Sequence, residues 1–159
     1  MVEVCKNLFV GAQSDYERKV RGREGWYVIH AAKEPYHRQA LNYSGQSAPK
    51  SHKEYYFAAR KDRLILNLVD APDVKYISKQ AIDAALKEIE VQLNKGNKVF
   101  LHCNKGQSRS PGIAFLHMVQ TGKLKGDDIY GLFNQFQNIY PNVKLGLGMD
   151  TYIRQNWKR

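Results

Sequence analysis

A cysteine that closes an apolar run and is followed by a polar, glycine-containing loop ending in arginine suggests chemistry before it suggests packing. Here the stretch is FLHCNKGQSRSPG, residues 100–112, in which Asn104, Lys105, Gly106, Gln107 and Ser108 separate Cys103 from Arg109. A loop of this kind between a strand and a helix start turns its backbone N–H groups toward one point. The helix dipole adds to them, and the result holds an anion. Gly106 permits the tight turn and close backbone approach that a bulkier residue hinders. Arg109 offers a planar fork of donors matched to two phosphate oxygens. The same positive field favours Cys103 as the thiolate, the form that attacks. Ser110 is placed to donate its hydroxyl to that thiolate, and His102 to brace the loop from the strand side.

These side chains need elements to hold them. Residues 7–12 and 26–32 read as short strands, and residues 33–51, with Pro35, Gly45 and Pro49, as a loop. Residues 64–69, nearly all apolar and ending at Asp70, carry the pattern of a strand buried on both faces of a parallel sheet. Ser78 caps a predicted helix whose Ile82, Leu86, Ile89 and Leu93 recur at helical spacing, with Asn94 and Gly96 as its stop. Residues 98–102 form the next strand, so strand, helix and strand make a right-handed crossover with a parallel pair. Pro111 suits a first helical position, opening a helix that runs to Gly122. Residues 127–140, stopped by Pro141, and 149–157 read as two further helices. The expected fold is α/β, with a central, mainly parallel twisted sheet flanked by helices and a helical C-terminal half, in one domain over residues 1–159. In such sheets ligands bind beyond the carboxyl ends of the strands, where this reading puts both Asp70 and Cys103.

Composition limits the alternatives. A chain of 159 residues falls within the range of one domain, and no apolar stretch approaches the length of a membrane span. The opening, MVEVCKNLFV, lacks the basic region and long apolar core of a signal peptide, so the expected location is cytoplasmic. Two cysteines, Cys5 and Cys103, make a disulfide scaffold unnecessary and suit a working thiol. A net charge of +10 favours an anionic partner: a phosphoprotein, nucleic acid or an anionic lipid. The basic residues are dispersed, and no run resembles a nucleic-acid arm.

His102-Cys103, the five intervening residues and Arg109-Ser110 resemble the signature loop of the protein tyrosine phosphatases. Gly106 and the run Ser108-Arg109-Ser110 look most like the dual-specificity branch. Leu8-Phe9-Val10-Gly11 is similar to the family's opening strand, and Tyr140-Pro141-Asn142 to the Pro-Asn pair before its last helix. The likeness covers residues 64–157, and residues 24–63 show no specific match. A cysteine and an arginine six apart are weak evidence, arising for about one cysteine in twenty at average composition. The further match of histidine, glycine and both serines makes coincidence remote. The resemblance implies a metal-independent cysteine phosphatase acting on phosphomonoesters through a phosphocysteine, with no cofactor. In that scheme Cys103 is the nucleophile, and Asp70, one helix upstream, is the general acid. Asn104, Lys105, Gly106, Gln107, Ser108 and Arg109 bind phosphate, Ser110 serves the thiolate and His102 supports the loop. The implied partner is a phosphorylated protein carrying phosphotyrosine or phosphoserine/threonine, with the chain a monomer and nucleic acid a secondary possibility.

Blander readings compete at each position. Cys103 as a packing cysteine does not account for its sequel. Asp73 competes with Asp70, which is preferred because it directly follows the buried strand and is held rigidly. His30, His37, His52, His102 and His117 show no zinc-ligand spacing with the cysteines. Cys5 lacks an arginine at loop spacing and reads as inert. Lys105 departs from the family, which usually has a small residue there. An added cation points to a substrate with extra negative charge, such as a phosphoinositide or an RNA 5′ end, or else the side chain faces solvent. A catalytically silent phosphate-binding module and a sulfur-transfer or arsenate-reducing relative are the rivals from other classes, and the Cys103–Asp70 pair speaks against both.

Overall fold

A computed structural model describes residues 1–158 of the chain. Six strands form one sheet in the order β1-β2-β6-β3-β5-β4. They are β1 Val2–Cys5, β2 Leu8–Ala12, β3 Trp26–His30, β4 Phe57–Ala59, β5 Arg63–Leu66 and β6 Lys98–Cys103. The four inner strands pair in parallel, and the outer two, β1 and β4, run antiparallel to their neighbours. The sheet is therefore mainly parallel, as expected, with antiparallel edges that the sequence reading lacked. Both edge strands are short and partly exposed, so neither carries a clear apolar signature.

Alternation along the inner strands sends side chains to two different layers. Val99, Leu101 and Cys103 of β6, Tyr27 and Ile29 of β3, and Leu64 and Leu66 of β5 enter the larger core. That core is completed by α3 Lys79–Asn94, α4 Arg109–Gln120, α5 Ile129–Ile139 and α6 Leu147–Asn156. Phe100, Val28 and Ile65 point the other way, into a smaller cluster with Tyr16, Val20 and Tyr36. This second face is covered by short pieces: α1 Gln13–Asp15 running into π-helical turns Tyr16–Val20, and turns Lys33–His37 running into α2 Arg38–Leu41.

Three local expectations are corrected. Residues 33–51 are not all loop: Tyr36 and His37 are buried and Ala40 and Leu41 half-buried, so a short amphipathic helical stretch lies beneath the Pro/Gly-rich composition. The strand before Asp70 ends at Leu66, because the backbone is diverted to other partners. Asn67 N–H donates to the Tyr56 carbonyl, and the Leu68 carbonyl accepts from Lys33 N–H and from Arg109. The helix after the loop starts at Arg109, which makes Pro111 its third residue. The missing N–H costs nothing there either, since the first four helical N–H groups have no partner within the helix. The cap at Ser78 is present, its hydroxyl accepting from Ala81 N–H at 3.1 Å.

Candidate active site

The loop after β6 turns at Gly106, whose φ of +69° is left-handed. A Cβ there would stand 2.9 Å from the Gly11 carbonyl carbon and 3.0 Å from the Ala12 nitrogen, backbone that cannot yield. Glycine is what lets the loop lie against the end of β2. From the other side the Gly106 carbonyl accepts from the Tyr140 hydroxyl at 2.6 Å and, more loosely, from Asn142 Nδ2 at 3.5 Å. Burial pushes Tyr140 up to about 12, so its hydroxyl stays a donor at any working pH. The Tyr140-Pro141-Asn142 stretch noted in the sequence is thus a clamp on the loop's far wall.

Cys103 is 2% exposed, with Sγ 3.2 Å from Ser110 Oγ. The same hydroxyl lies 3.1 Å from the Gly11 carbonyl oxygen. It carries a single proton and serves one acceptor at a time. Beside a neutral thiol it donates to Gly11 and accepts the S–H; beside a thiolate its proton turns to sulfur.

Arg109 is held before any ligand arrives. Nη1 donates to the Leu68 carbonyl at 3.0 Å and Nη2 to Asn104 Oδ1 at 2.6 Å. Asn104 Nδ2 in turn donates to Gln13 Oε1 and to the Glu34 carbonyl, both at 2.9 Å. The Asn104 side chain is thus committed to orienting Arg109. Among the described residues, the buried Arg109 Nε has no hydrogen-bond partner. A buried donor left unpaired costs about 1–3 kcal/mol.

Asp70 is exposed and lines a cleft of 430 Å³ together with Cys103, Lys105, Gln107, Arg109 and Lys144. Its Oδ1 accepts from Ser108 Oγ at 3.2 Å, and that hydroxyl accepts from Gly146 N–H at 2.9 Å. Asp73 does not line the cleft. It caps the 3₁₀ turn Val74–Tyr76, accepting from Lys75 N–H at 3.0 Å. Behind Asp70, the Ala71 carbonyl packs so closely on Gly148 of α6 that a Cβ at residue 148 would lie 2.0 Å from its oxygen. Cys5 lies away from the cleft, and burial raises its pKa above the ordinary thiol range.

His102 braces the loop, its Nδ1 standing 3.0 Å from the Cys103 carbonyl oxygen. The sequence reading missed what stands behind it. His30 Nδ1 is 2.7 Å from His102 Nε2, and His30 Nε2 is 3.3 Å from Arg63 Nη1. Tyr16 stacks on His102 with ring centroids 5.0 Å apart, and Tyr36 on His30 at 4.4 Å. Burial holds His102 down to about 4 and His30 down to about 2. The overlooked signal was that two apolar runs, VIH and FLH, each end in a histidine.

Among the described residues, no three His, Cys, Asp or Glu side chains converge as a metal site, and no helix is long and apolar enough to cross a membrane. Compared by sequence with curated proteins, the chain matches none. In fold it is similar to DUSP15, with a TM-score of 0.66, 16% identity, and 99% of this chain and 87% of that chain covered. It is also similar to the human tyrosine phosphatase-like serine/threonine/tyrosine-interacting protein (TM-score 0.65, 19% identity, 96% of this chain and 92% of that chain). PTPMT1, solved with PI(5)P, gives a TM-score of 0.65 at 15% identity over 98% of this chain and 93% of that chain. The sequence profile of the dual specificity phosphatase catalytic domain matches residues 36–150. That match begins inside the stretch where the sequence reading found no likeness, and it spans well over half of the chain. On that match, the chain belongs to the dual-specificity phosphatase family.

Proposed function

We propose that the protein is a metal-independent cysteine phosphatase, acting as a single domain and a monomer, that hydrolyses phosphomonoesters of phosphorylated proteins. The observation that carries this reading is the convergence on one cleft of Cys103, a pre-oriented Arg109 with an unpaired buried Nε, and Asp70. Arg109 and the loop amides hold the equatorial phosphate oxygens as charge shifts during transfer. Sγ of Cys103 forms a bond to phosphorus while the P–O bond to the leaving group breaks. Asp70, in its acid form, gives that oxygen a proton. Water then attacks the phosphocysteine, Asp70 takes its proton, the S–P bond breaks, and Ser110 donates to the released thiolate.

A second reading rests on Lys105 and Lys144, both exposed on the cleft rim. Two rim cations fit a substrate with a further anionic group, such as a phosphoinositide headgroup or an RNA 5′ end. PTPMT1, a fold neighbour, was solved with a phosphoinositide. A panel of phosphotyrosine and phosphoserine peptides, phosphoinositides and triphosphorylated RNA ranks the two readings by kcat/KM.

The decisive experiment is p-nitrophenyl phosphate turnover by purified protein in EDTA. The wild type turns over. Cys103→Ser does not, yet still binds vanadate, because the amides and Arg109 remain. Turnover by Cys103→Ser at a tenth of the wild-type rate or more rejects the covalent route.

A further inference from the structure

We infer that Arg63 and His30 are positioning residues for Cys103, forming with His102 a one-way chain of hydrogen bonds that crosses three strands and ends on the Cys103 carbonyl. This rests on the reading of Cys103 as nucleophile. The chain runs from β5 through β3 to β6, with His30 directly opposite His102 in the β3–β6 register. Its contacts are 3.3 Å (Arg63 Nη1 to His30 Nε2), 2.7 Å (His30 Nδ1 to His102 Nε2) and 3.0 Å (His102 Nδ1 to the Cys103 carbonyl oxygen).

Both ends dictate the same direction. A guanidinium only donates, so His30 Nε2 is an acceptor and a neutral His30 carries its proton on Nδ1. That N–H is donated to His102 Nε2, which leaves the His102 proton on Nδ1. A carbonyl oxygen only accepts, so the far end demands that same His102 tautomer independently. Each contact then has one proton, and no proton can be added without breaking a link. Protonating His102 would set Nε2–H against the Nδ1–H of His30 and force His30 to turn its proton toward Arg63.

The surroundings enforce the arrangement. Both imidazoles are 0% exposed, and Tyr16 and Tyr36 cover them face-on and edge-on. The charged groups around the pair are Asp15 and Glu17 on the turns after β2, Arg21 beyond them, Arg63 on β5 and Arg109 on α4. Glu17 is occupied by the Tyr36 hydroxyl at 3.1 Å and by Arg21 at 2.8 Å, Asp15 by the Ala12 N–H at 2.9 Å, and among the described residues no carboxylate hydrogen-bonds either ring.

The consequence falls on the loop. A donor behind the Cys103 carbonyl keeps that oxygen turned away from the cleft, and successive loop N–H groups then face the anion. A cation at the far end polarises both imidazoles in one sense and strengthens the last donor, which a lone His102 would not achieve. Partners that orient a working histidine in this way typically matter by about 10–100-fold at metal sites, and the lower end applies to a carbonyl brace.

Arg63 is half-buried and its removal leaves the core intact, which makes Arg63→Met the test. Three readouts are taken on the full chain: imidazole ¹⁵N shifts, iodoacetate alkylation of Cys103, and the pH profile of kcat/KM on p-nitrophenyl phosphate. In the wild type both histidines show an N–H on Nδ1 and do not titrate between pH 5 and 8. In Arg63→Met the His30 nitrogens lose that pattern, Cys103 alkylation slows, and kcat/KM falls about tenfold with its acid limb moved to higher pH. Arg63→Lys restores most of the loss, since an ammonium also only donates, and His30→Leu matches or exceeds it. A wild-type tautomer on Nε2 of either ring overturns the proposal. So does an Arg63→Met protein with unchanged alkylation and pH profile. If the wild type turns over nothing, the phosphatase reading fails, and the ¹⁵N shifts and alkylation rates still decide the relay.

Discussion

The two faces of the sheet are built from different materials. On one, aliphatic side chains from alternate strand positions meet four helices in a continuous core of Leu64, Leu66, Ile82, Ile89, Leu101 and their neighbours. On the other, aromatic rings and two imidazoles pack beneath turns of a few residues, with hydrogen bonds running through the layer. Cys103 belongs to the first face by strand parity, and His102, one residue earlier, to the second. The residue proposed as nucleophile is thus set in the layer that stabilises the fold. The groups inferred to orient its backbone are set in the layer where polar contacts are tolerated because each has a partner.

The division is open to direct attack, most severely at the cleft. Asp70→Asn slows phosphotyrosine hydrolysis by about 10²–10⁴, the range of one general acid, and the loss shrinks as the leaving group becomes more acidic. Asp73→Asn, which keeps the capping oxygen and changes only a charge outside the cleft, leaves the leaving-group dependence at wild type. Rates on a series of aryl phosphates decide it, and a reversal of the two results moves the acid to Asp73. Next comes the aliphatic face. Leu101 is fully buried there, and Leu101→Ala costs about 2–5 kcal/mol of stability, read as a lower midpoint in urea. KM for p-nitrophenyl phosphate at 15 °C stays within about twofold, because the loop is held by Gly106, Arg109 and Tyr140 contacts that do not involve Leu101. A collapse of substrate binding in a still-folded Leu101→Ala protein would break the division of labour.

The third test is a slope against pH. His102 and His117, both lowered by burial to about 4, and His30, lowered to about 2, resist protonation in the fold but not in the unfolded chain. The unfolded state therefore binds more protons below about pH 6.5. Stability is complete above that pH and falls as the pH drops toward the folded values, by up to about 1.4 kcal/mol per pH unit for each such histidine. Thermal melts from pH 7 to 4.5 show the decline. His117→Leu, which removes a histidine remote from the cleft whose Nε2 has no partner, flattens the curve without touching the relay. A melting temperature that stays level over that range contradicts the buried, uncharged state of these rings.

The legibility of the sequence follows the same division. Periodicity picks out the helices from residue 79 onward because their apolar stripes are long and face a single core. Cys103, Gly106, Arg109 and Ser110 stand out because they fall within eight consecutive residues of one strand-to-helix turn. Residues 13–20 and 33–41 conceal their part because turns of three to five residues carry no period, and a single buried Tyr16 or Tyr36 looks like any loop aromatic. The partnership of His30 with His102 depends on strand register, and Asn104 with Gln13 joins segments 91 residues apart; neither pairing has a local trace. Asp70 was legible as a residue at the cleft, although the strand expected to run up to it stops at Leu66.

The contact between Ala71 and Gly148 has a mechanical consequence. Backbone rests on backbone there, with no side chain between, so the spacing between the Asp70 loop and α6 has no compliant part. A methyl group at residue 148 would act as a shim, tilting the loop that carries Asp70 while touching nothing in the cleft. Tolerance at this joint is set by the seating of α6 through Met149, Tyr152 and Ile153 on the core. Loosening those three anchors is therefore a way to shift Asp70 from the far end of the chain.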